Sequence, residues 1–253
     1  MRRAIIVALA CACTGCATVV DAERTPGEPT PTVAVSASGP VVASPLPQPA
    51  PTPTGTPAPT VTPPAPVTPP TEDSWGEADM SAPIPLVSKR WRLPASYVPK
   101  RTGKWGLTAE ADAAMRELIK AAHADGVKMQ VRSGYRSFET QKATYERALR
   151  TYSSKAEAKR YNAPAGASEH QTGLAADMWD GKNRGYAFRG TPTDAWLAEN
   201  AYTFGFIIRY PKGKEHITGY ADEPWHLRYV GVEVAKAFAA DKTLTLEEYL
   251  GVS

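Results

Sequence analysis

The chain has 253 residues, a formal net charge of +3, 24 prolines and only three cysteines. Every position after Cys16 lacks cysteine, which excludes a thiol nucleophile, a cysteine zinc finger and a disulfide framework for the folded part. Such a domain must be stabilised by its apolar core or by a bound metal. No basic motif is interleaved with aromatic residues, so we expect no nucleic-acid partner.

The first segment, residues 1–16, has the pattern of a secretory signal. A basic start is followed by an apolar run over residues 4–12 that is too short to cross a bilayer. Residues 14–16 (Thr-Gly-Cys) resemble the end of a bacterial lipobox, although Cys13 stands where leucine is usual. We therefore predict lipidation of Cys16 and a membrane anchor, with an ordinary cleaved signal as the alternative.

Residues 17–81 are rich in proline and threonine and have few charges. Stretches such as residues 49–53 (Pro-Ala-Pro-Thr-Pro) favour extended polyproline II and cannot form a packed core. About 50 such residues at about 3.1 Å each would reach on the order of 150 Å. We predict a disordered stalk that lets a tethered domain reach into the cell wall, and a passive or sugar-bearing spacer is the alternative.

Residues 82–253 have a suitable size for a single folded domain. Because the first 80 residues carry more acidic than basic side chains, this domain is more basic than the whole chain. A basic surface favours an anionic envelope polymer as partner. A solvated surface of mixed charge is the alternative interpretation.

The predicted elements begin with a helix that Thr108 caps and Gly126 ends. A strand at 127–131 follows, and Ser137 caps a second helix whose charged continuation runs to about residue 160. The later pattern predicts strands at 174–179, 206–210 and 225–230 and helices at 193–205 and 233–240. Because no βαβ order repeats, we expect an α+β fold with a small, largely antiparallel sheet flanked by helices.

One candidate functional segment is residues 168–177, Ser-Glu-His-Gln-Thr-Gly-Leu-Ala-Ala-Asp. His170 and Asp177 are separated by an odd number of positions, which would put them on opposite faces of one regular strand. Gly173 is suited to a bend that lets them converge. We therefore predict His170 on a loop and Asp177 on the strand that follows.

The second candidate segment is residues 223–226, Glu-Pro-Trp-His. Pro224 interrupts a regular ladder of hydrogen bonds, which predicts Glu223 in a turn and His226 on a strand. Residues two apart on a strand share a face, so Arg228 should lie on the side of His226. Trp225 should point the other way, into the packed interior.

Two imidazoles and two carboxylates form the residue set of a zinc hydrolase. Three protein ligands leave a fourth zinc position for water, whose pKa the metal lowers. A carboxylate off the metal then moves the proton to the leaving amine, and we predict Glu223 for this role. Arg136, in the turn at 133–137, is the candidate cation for a developing oxyanion. Ordinary surface roles remain open, including a pair between Arg136 and Glu139.

These segments resemble the VanY-type D-alanyl-D-alanine carboxypeptidases, in the zinc peptidase group that includes lysostaphin-type enzymes and the hedgehog fold. The resemblance spans about residues 86–239. Besides the two segments above, it rests on residues 133–137 with Gln141, 196–202, 205–211, 218–220 and 227–231.

The resemblance implies a hedgehog-like fold with zinc on His170, Asp177 and His226 and with Glu223 as the base. It also implies that Arg136 contacts the scissile carbonyl, and that Gln141 and Ser168 hold the end of the peptide. The implied substrates are the C-terminal D-amino acids of peptidoglycan stem peptides.

We therefore expect a monomeric zinc D,D-carboxypeptidase, secreted and anchored in the membrane as a lipoprotein that faces the cell wall. An L,D-carboxypeptidase that trims tetrapeptide stems uses the same chemistry and remains an alternative. A peptidoglycan endopeptidase that cuts cross-links is a further alternative; it would need a groove open at both ends, whereas a carboxypeptidase needs a closed end that recognises a carboxylate. A wall-binding module without turnover is disfavoured because the complete set of ligands and base is present.

Overall fold

The computed structural model describes residues 74–252. The predicted signal at 1–16, with Cys16, and the predicted stalk up to residue 73 lie outside the described residues. The end of the predicted stalk lies within them.

Ordered structure begins before the predicted domain boundary at residue 82. Strand β1 (Gly76–Glu77) pairs in parallel with β2 (Trp91–Arg92). Ala78 is buried in a small apolar cluster with Val87 and Leu93. The pairing of β1 with β2 and the burial of Ala78 place residues 76–78 in the folded part.

Helix α1 (Ala109–Ala124) begins and ends as the sequence predicts. The Thr108 hydroxyl accepts a hydrogen bond from the backbone N–H of Ala111, which satisfies one of the free donors of the first turn. Gly126, at φ +76°, follows the last turn in the left-handed conformation that glycine adopts without strain.

Two helices follow where the sequence predicts one charged helical stretch. Helix α2 (Phe138–Thr151) begins after Ser137, whose hydroxyl accepts from the backbone N–H of Thr140. Helix α3 (Lys155–Tyr161) begins after Ser154, which caps it in the same way. The chain is extended at the intervening residue 152, so the stretch is divided.

The central sheet has four strands, β3 (Gln130–Ser133), β4 (Ala175–Trp179), β5 (Phe206–Tyr210) and β6 (Glu223–Tyr229). Their order is β3-β4-β6-β5, and every neighbouring pair is antiparallel. This confirms the predicted α+β class. Strand β3 begins three residues later than predicted, because the chain up to residue 129 is irregular.

The two faces of the sheet contact different apolar clusters. One cluster joins Met115 and Leu118 of α1 to Met178 of β4 and Leu227 of β6. The other joins Ile207 of β5 to the C-terminal helices, and its further members include Ile84, Phe238, Leu246 and Leu250. The sheet is therefore covered on both sides, which buries its central strands.

The remaining helices complete the fold. They are α4 (Pro192–Asn200), α5 (Glu215–Thr218), α6 (Val232–Ala240) and α7 (Leu246–Tyr249). Short 3-10 helices lie at Glu169–Thr172, Gly185–Phe188 and Ala201–Phe204. Within residues 74–252, no helix is both long enough and apolar enough to cross a bilayer.

Candidate active site

The predicted convergence of His170 and Asp177 is confirmed. His170 lies in the 3-10 helix Glu169–Thr172, which ends at Gly173 with φ +71°. The chain then turns into β4, where Asp177 pairs with His226 of β6. Glycine permits this left-handed turn, which brings the loop residue and the strand residue to the same place.

Glu223 is the first residue of β6, so the prediction that it lies in a turn is wrong. Pro224 lies inside the strand, and the irregular register between β5 and β6 makes a proline possible there. Tyr210 of β5 is paired with Glu223, yet Ile208 is paired with Leu227. The proline is skipped by the ladder at this bulge, and the bulge re-aims the carboxylate toward the histidines.

Three potential ligand atoms lie together in the structure. His170 Nε2 is 3.3 Å from Asp177 Oδ2, and His226 Nδ1 is 3.2 Å from Asp177 Oδ1. The ligand atoms of all three residues lie within 4.8 Å of one another. In a tetrahedral centre with bonds of about 2.0–2.1 Å, ligand atoms are roughly 3.3 Å apart. The spacing and the donor types therefore fit zinc.

Each imidazole is oriented by a partner on its far side. His170 Nδ1 lies 2.6 Å from the carbonyl oxygen of Gly134, which can only accept, so Nδ1 donates and Nε2 faces Asp177 with its lone pair. His226 Nε2 faces Glu169 Oε2 at 3.5 Å, which leaves Nδ1 directed at Asp177. Such outer partners fix the tautomer that a metal requires.

Glu169 was missed by the sequence analysis, although it is next to His170. Its side chain is fully buried and contacts two equally buried cations, with Arg209 Nε at 2.8 Å and Arg228 Nη1 at 2.7 Å. Arg209 also binds Glu247 through two hydrogen bonds of 2.8 and 2.6 Å. Burial opposes the charged form, but the two guanidinium groups outweigh it and hold the pKa of Glu169 below its usual range.

The predicted shared face of His226 and Arg228 is confirmed, because both side chains reach Glu169. Alternation along a strand was the signal that located Arg228. No comparable signal marked Glu169, since an isolated glutamate usually reads as a surface residue.

The electrostatics of the cavity favour a positive charge on His226 itself. Burial alone would lower the pKa of this imidazole, but contacts with Asp177 and Glu169 outweigh it and raise the pKa to about 9. A metal that binds at neutral pH would displace the proton held there.

The Glu223 carboxylate is close to His170, Asp177 and His226, but it lies further from the point that their ligand atoms surround. Its Oε2 lies 3.6 Å from His226 Nδ1. Burial raises the pKa of Glu223 to about 7; the Asp177 carboxylate adds to this effect and His226 opposes it. A carboxyl with a pKa near neutrality is suited to accept and return a proton.

The Arg136 guanidinium is held by two side chains and lies near the candidate metal ligand Asp177. Its Nη1 donates to Gln141 Oε1 at 2.8 Å, and its Nη2 donates to Ser133 Oγ at 3.1 Å. Asp177 Oδ2 is 3.9 Å from Nη2. Gln141 in turn donates from Nε2 to the Ala163 carbonyl at 2.6 Å, so its orientation is fixed.

A cavity of about 250 Å³ brings all seven predicted residues of the folded part together: Arg136, Gln141, Ser168, His170, Asp177, Glu223 and His226. Aromatic side chains complete its wall, namely Tyr161, Tyr210, Tyr220 and Trp225. Trp225 packs against the core as predicted, but it also lines the cavity, which the sequence analysis did not expect. The irregular start of β6 explains this double contact.

The fold is that of a known peptidase family. The profile of the VanY family, described as D-alanyl-D-alanine carboxypeptidase, matches residues 104–232, which is half of the chain. The chain belongs to this family of cell-wall peptidases.

Individual relatives agree with that membership. The chain is 39% identical over 176 residues to a D-alanyl-D-alanine carboxypeptidase of Enterococcus faecalis, covering 65% of this chain and 64% of the relative. The match therefore spans less than two thirds of that relative's length.

Solved structures of the family are also similar. The LdcB LD-carboxypeptidase is 39% identical, with a TM-score of 0.60 over 66% of this chain and 86% of that one. A variant of the vancomycin-resistance D,D-pentapeptidase VanY, in complex with Zn(II), is 38% identical, with a TM-score of 0.57 over 65% and 97% of the two chains.

Proposed function

We propose that the chain is a zinc D,D-carboxypeptidase that removes the terminal D-alanine from D-Ala-D-Ala-ended stem peptides of peptidoglycan. The observation that carries this proposal is the convergence of His170, Asp177 and His226 at tetrahedral spacing, with Glu223 and Arg136 at the same cavity. Membership of the VanY family supports the choice of substrate.

The residues that would hold zinc are His170, Asp177 and His226. When bound there, zinc supplies a Lewis acid that polarises the scissile carbonyl and acidifies the attacking water. The Zn(II) complex of the similar VanY structure supports zinc over other divalent ions.

The remaining steps belong to side chains of this protein. Glu223 takes the proton of the attacking water and returns it to the leaving amino group, for which its pKa of about 7 is suited. Arg136 faces the negative charge that develops on the carbonyl oxygen. Gln141 fixes the Arg136 guanidinium, and together with Ser168 it holds the end of the peptide.

The L,D-carboxypeptidase alternative is favoured by one observation, the similarity to LdcB at the same level of identity as to the D,D-carboxypeptidase of Enterococcus faecalis. The two activities share the zinc chemistry and differ in the residue that must fit beside the scissile bond. They therefore predict different products from the same muropeptides.

The test is digestion of separate pentapeptide and tetrapeptide muropeptides by the full chain, with and without a zinc chelator, followed by mass spectrometry. We expect chelator-sensitive loss of one alanine from the pentapeptide and little change in the tetrapeptide. Cleavage of the tetrapeptide alone would establish the L,D-activity instead. Cleavage of neither substrate would contradict both.

We also propose that the enzyme acts outside the cytoplasmic membrane, because its family acts on the cell wall. Lipidation of Cys16, the stalk after it and a monomeric state are the corresponding predictions. Labelling with radioactive palmitate tests the anchor. The parent chain should carry the label in membranes, and the Cys16→Ala protein should not.

A further inference from the structure

A second, larger groove lies outside the catalytic cavity. It has a volume of about 890 Å³, compared with about 250 Å³ for the catalytic cavity. Its walls are the segment at residues 86–92, helix α3 and the segment at residues 215–219. None of the predicted catalytic residues lines it.

Basic side chains outnumber acidic ones in this groove. Six of them line it: Lys89, Arg90, Arg92, Lys155, Lys159 and Arg160. Arg90 and Lys155 are exposed. Within residues 74–252, no carboxylate forms an ion pair with Arg90, Arg92, Lys155 or Lys159.

The acidic residues of the groove do not cancel this charge. Glu215 is engaged by Arg160 through two contacts of 2.6 and 2.7 Å. Glu247 points inward and binds the buried Arg209. Glu157 accepts hydrogen bonds from the hydroxyl and the backbone N–H of Ser153. The groove therefore keeps an excess of positive charge that an extended anion can use.

The groove and the catalytic cavity share their walls. Arg160 and Pro164 line the groove, and residues 161–163, between them, line the catalytic cavity. The same holds at the other wall, where Gly219 lines the groove and Tyr220 lines the cavity. Lys89 joins the two sides, because its ammonium group lies 4.2 Å from the centre of the Tyr220 ring. A polymer held in the groove therefore lies next to the catalytic cavity.

We propose that this groove is a second binding site for peptidoglycan, which holds carboxylates of the polymer whose stem-peptide end enters the catalytic cavity. The proposal rests on the proposed function for the identity of the polymer. A catalytic cavity of about 250 Å³ is smaller than most sites for whole ligands, which span about 300–1,000 Å³, so it accommodates only a peptide end. The rest of an anionic strand then needs a basic surface beside it.

The test uses the full chain with Arg90→Glu and Lys155→Glu combined, because both side chains are exposed and neither lines the catalytic cavity. The matched control combines Lys100→Glu with Lys128→Glu, which makes the same change in charge at exposed positions outside the groove. Co-sedimentation with insoluble peptidoglycan, stripped of phosphate polymers, measures binding. Turnover of a short soluble peptide ending in D-Ala-D-Ala measures the catalytic cavity separately.

We expect the groove variant to bind the stripped peptidoglycan at least tenfold more weakly at low salt, with the difference abolished at high salt. The control variant should bind as the parent chain does, and all three proteins should turn over the short peptide equally. Equal binding by the groove variant and the control would overturn the proposal. So would a defect seen only with walls that retain phosphate polymers. Failure of all proteins to turn over the peptide would contradict the proposed function but leave the binding result readable.

Discussion

The Nε2 atom of His226 lies 3.5 Å from Oε2 of Glu169, and neither atom has another hydrogen-bond partner among residues 74–252. Because the other oxygen of Glu169 is held by two buried arginines, this carboxylate is fixed in place behind the imidazole. A carboxylate in this position sets the histidine tautomer and raises its basicity toward a metal. Glu169 is therefore a positioning residue for His226.

The first prediction concerns Glu169→Gln. Loss of such an outer partner typically weakens metal binding about 10–100-fold, and we expect a change of this size in zinc affinity. Competition with a chromophoric chelator measures it without reference to turnover. Glu117→Gln, at an exposed position of α1, is the matched control.

The same substitution leaves Arg209 and Arg228 without their shared carboxylate. Breaking a buried ion pair from one side costs about 3–5 kcal/mol, so thermal unfolding must be measured alongside. If Glu169→Gln does not fold, Glu169→Asp is the second variant. It keeps the negative charge, but its shorter side chain moves the carboxylate away from His226. Unchanged zinc affinity in a folded variant of either kind would refute the positioning role.

The second prediction concerns stability in acid. Since the pKa of Glu169 is lower in the folded protein than the usual value of about 4.3, its charge contributes stability that is present above that value. The contribution is lost as the pH falls further toward the folded-state pKa. We expect the melting temperature to decline below about pH 4, and a folded Glu169→Gln protein to show a smaller decline over the same range.

The third prediction is a rate profile that rises with pH. Glu223 must be ionised to accept a proton, and its pKa is raised to about 7 in the metal-free protein. A cation bound nearby stabilises the carboxylate, so the ascending limb should lie between about pH 5 and about pH 7. The dependence of kcat/KM on pH at constant zinc occupancy measures this limb. A rate that stays flat from pH 5 to 8 would argue against Glu223 as the base.

The fourth prediction distinguishes the role of Arg136 from that of the proposed metal ligands. Arg136→Lys keeps the charge but loses the two-sided hydrogen bonding to Gln141 and Ser133. Removing an oxyanion donor typically costs about 10²–10³-fold in kcat, and we expect a loss approaching that range with zinc content unchanged. Loss of zinc together with activity would mean that Arg136 organises the metal cluster instead.

Much of the site could be predicted from the sequence, because it depends on glycine, proline and the spacing of residues within short segments. Gly173 and the odd spacing of His170 and Asp177 predicted a loop followed by a strand, and the structure has both. Pro224 correctly signalled an irregular ladder. The position of Glu223 was still wrong, because a β-bulge lets a strand include a proline that a regular ladder excludes.

The partners behind the ligands were not accessible in the same way. The ion pairs of Glu169 join residues that are 40 and 59 positions apart in the chain. Only the assembled sheet shows that Arg209 and Arg228 are buried side by side. Helix α7 was also missed, since a four-residue helix with a capping box gives no periodic pattern to detect.

The most direct test of the account measures zinc bound and D-alanine released in the same samples, as metal-free protein is titrated with zinc in the presence of a D-Ala-D-Ala-ended stem peptide. For the parent chain, release should rise in proportion to bound zinc and reach its maximum at one equivalent. The Glu223→Gln protein should bind the same equivalent and release D-alanine about 10²–10⁴-fold more slowly. Full release without bound zinc, or undiminished release by Glu223→Gln, would contradict a zinc D,D-carboxypeptidase built on these residues.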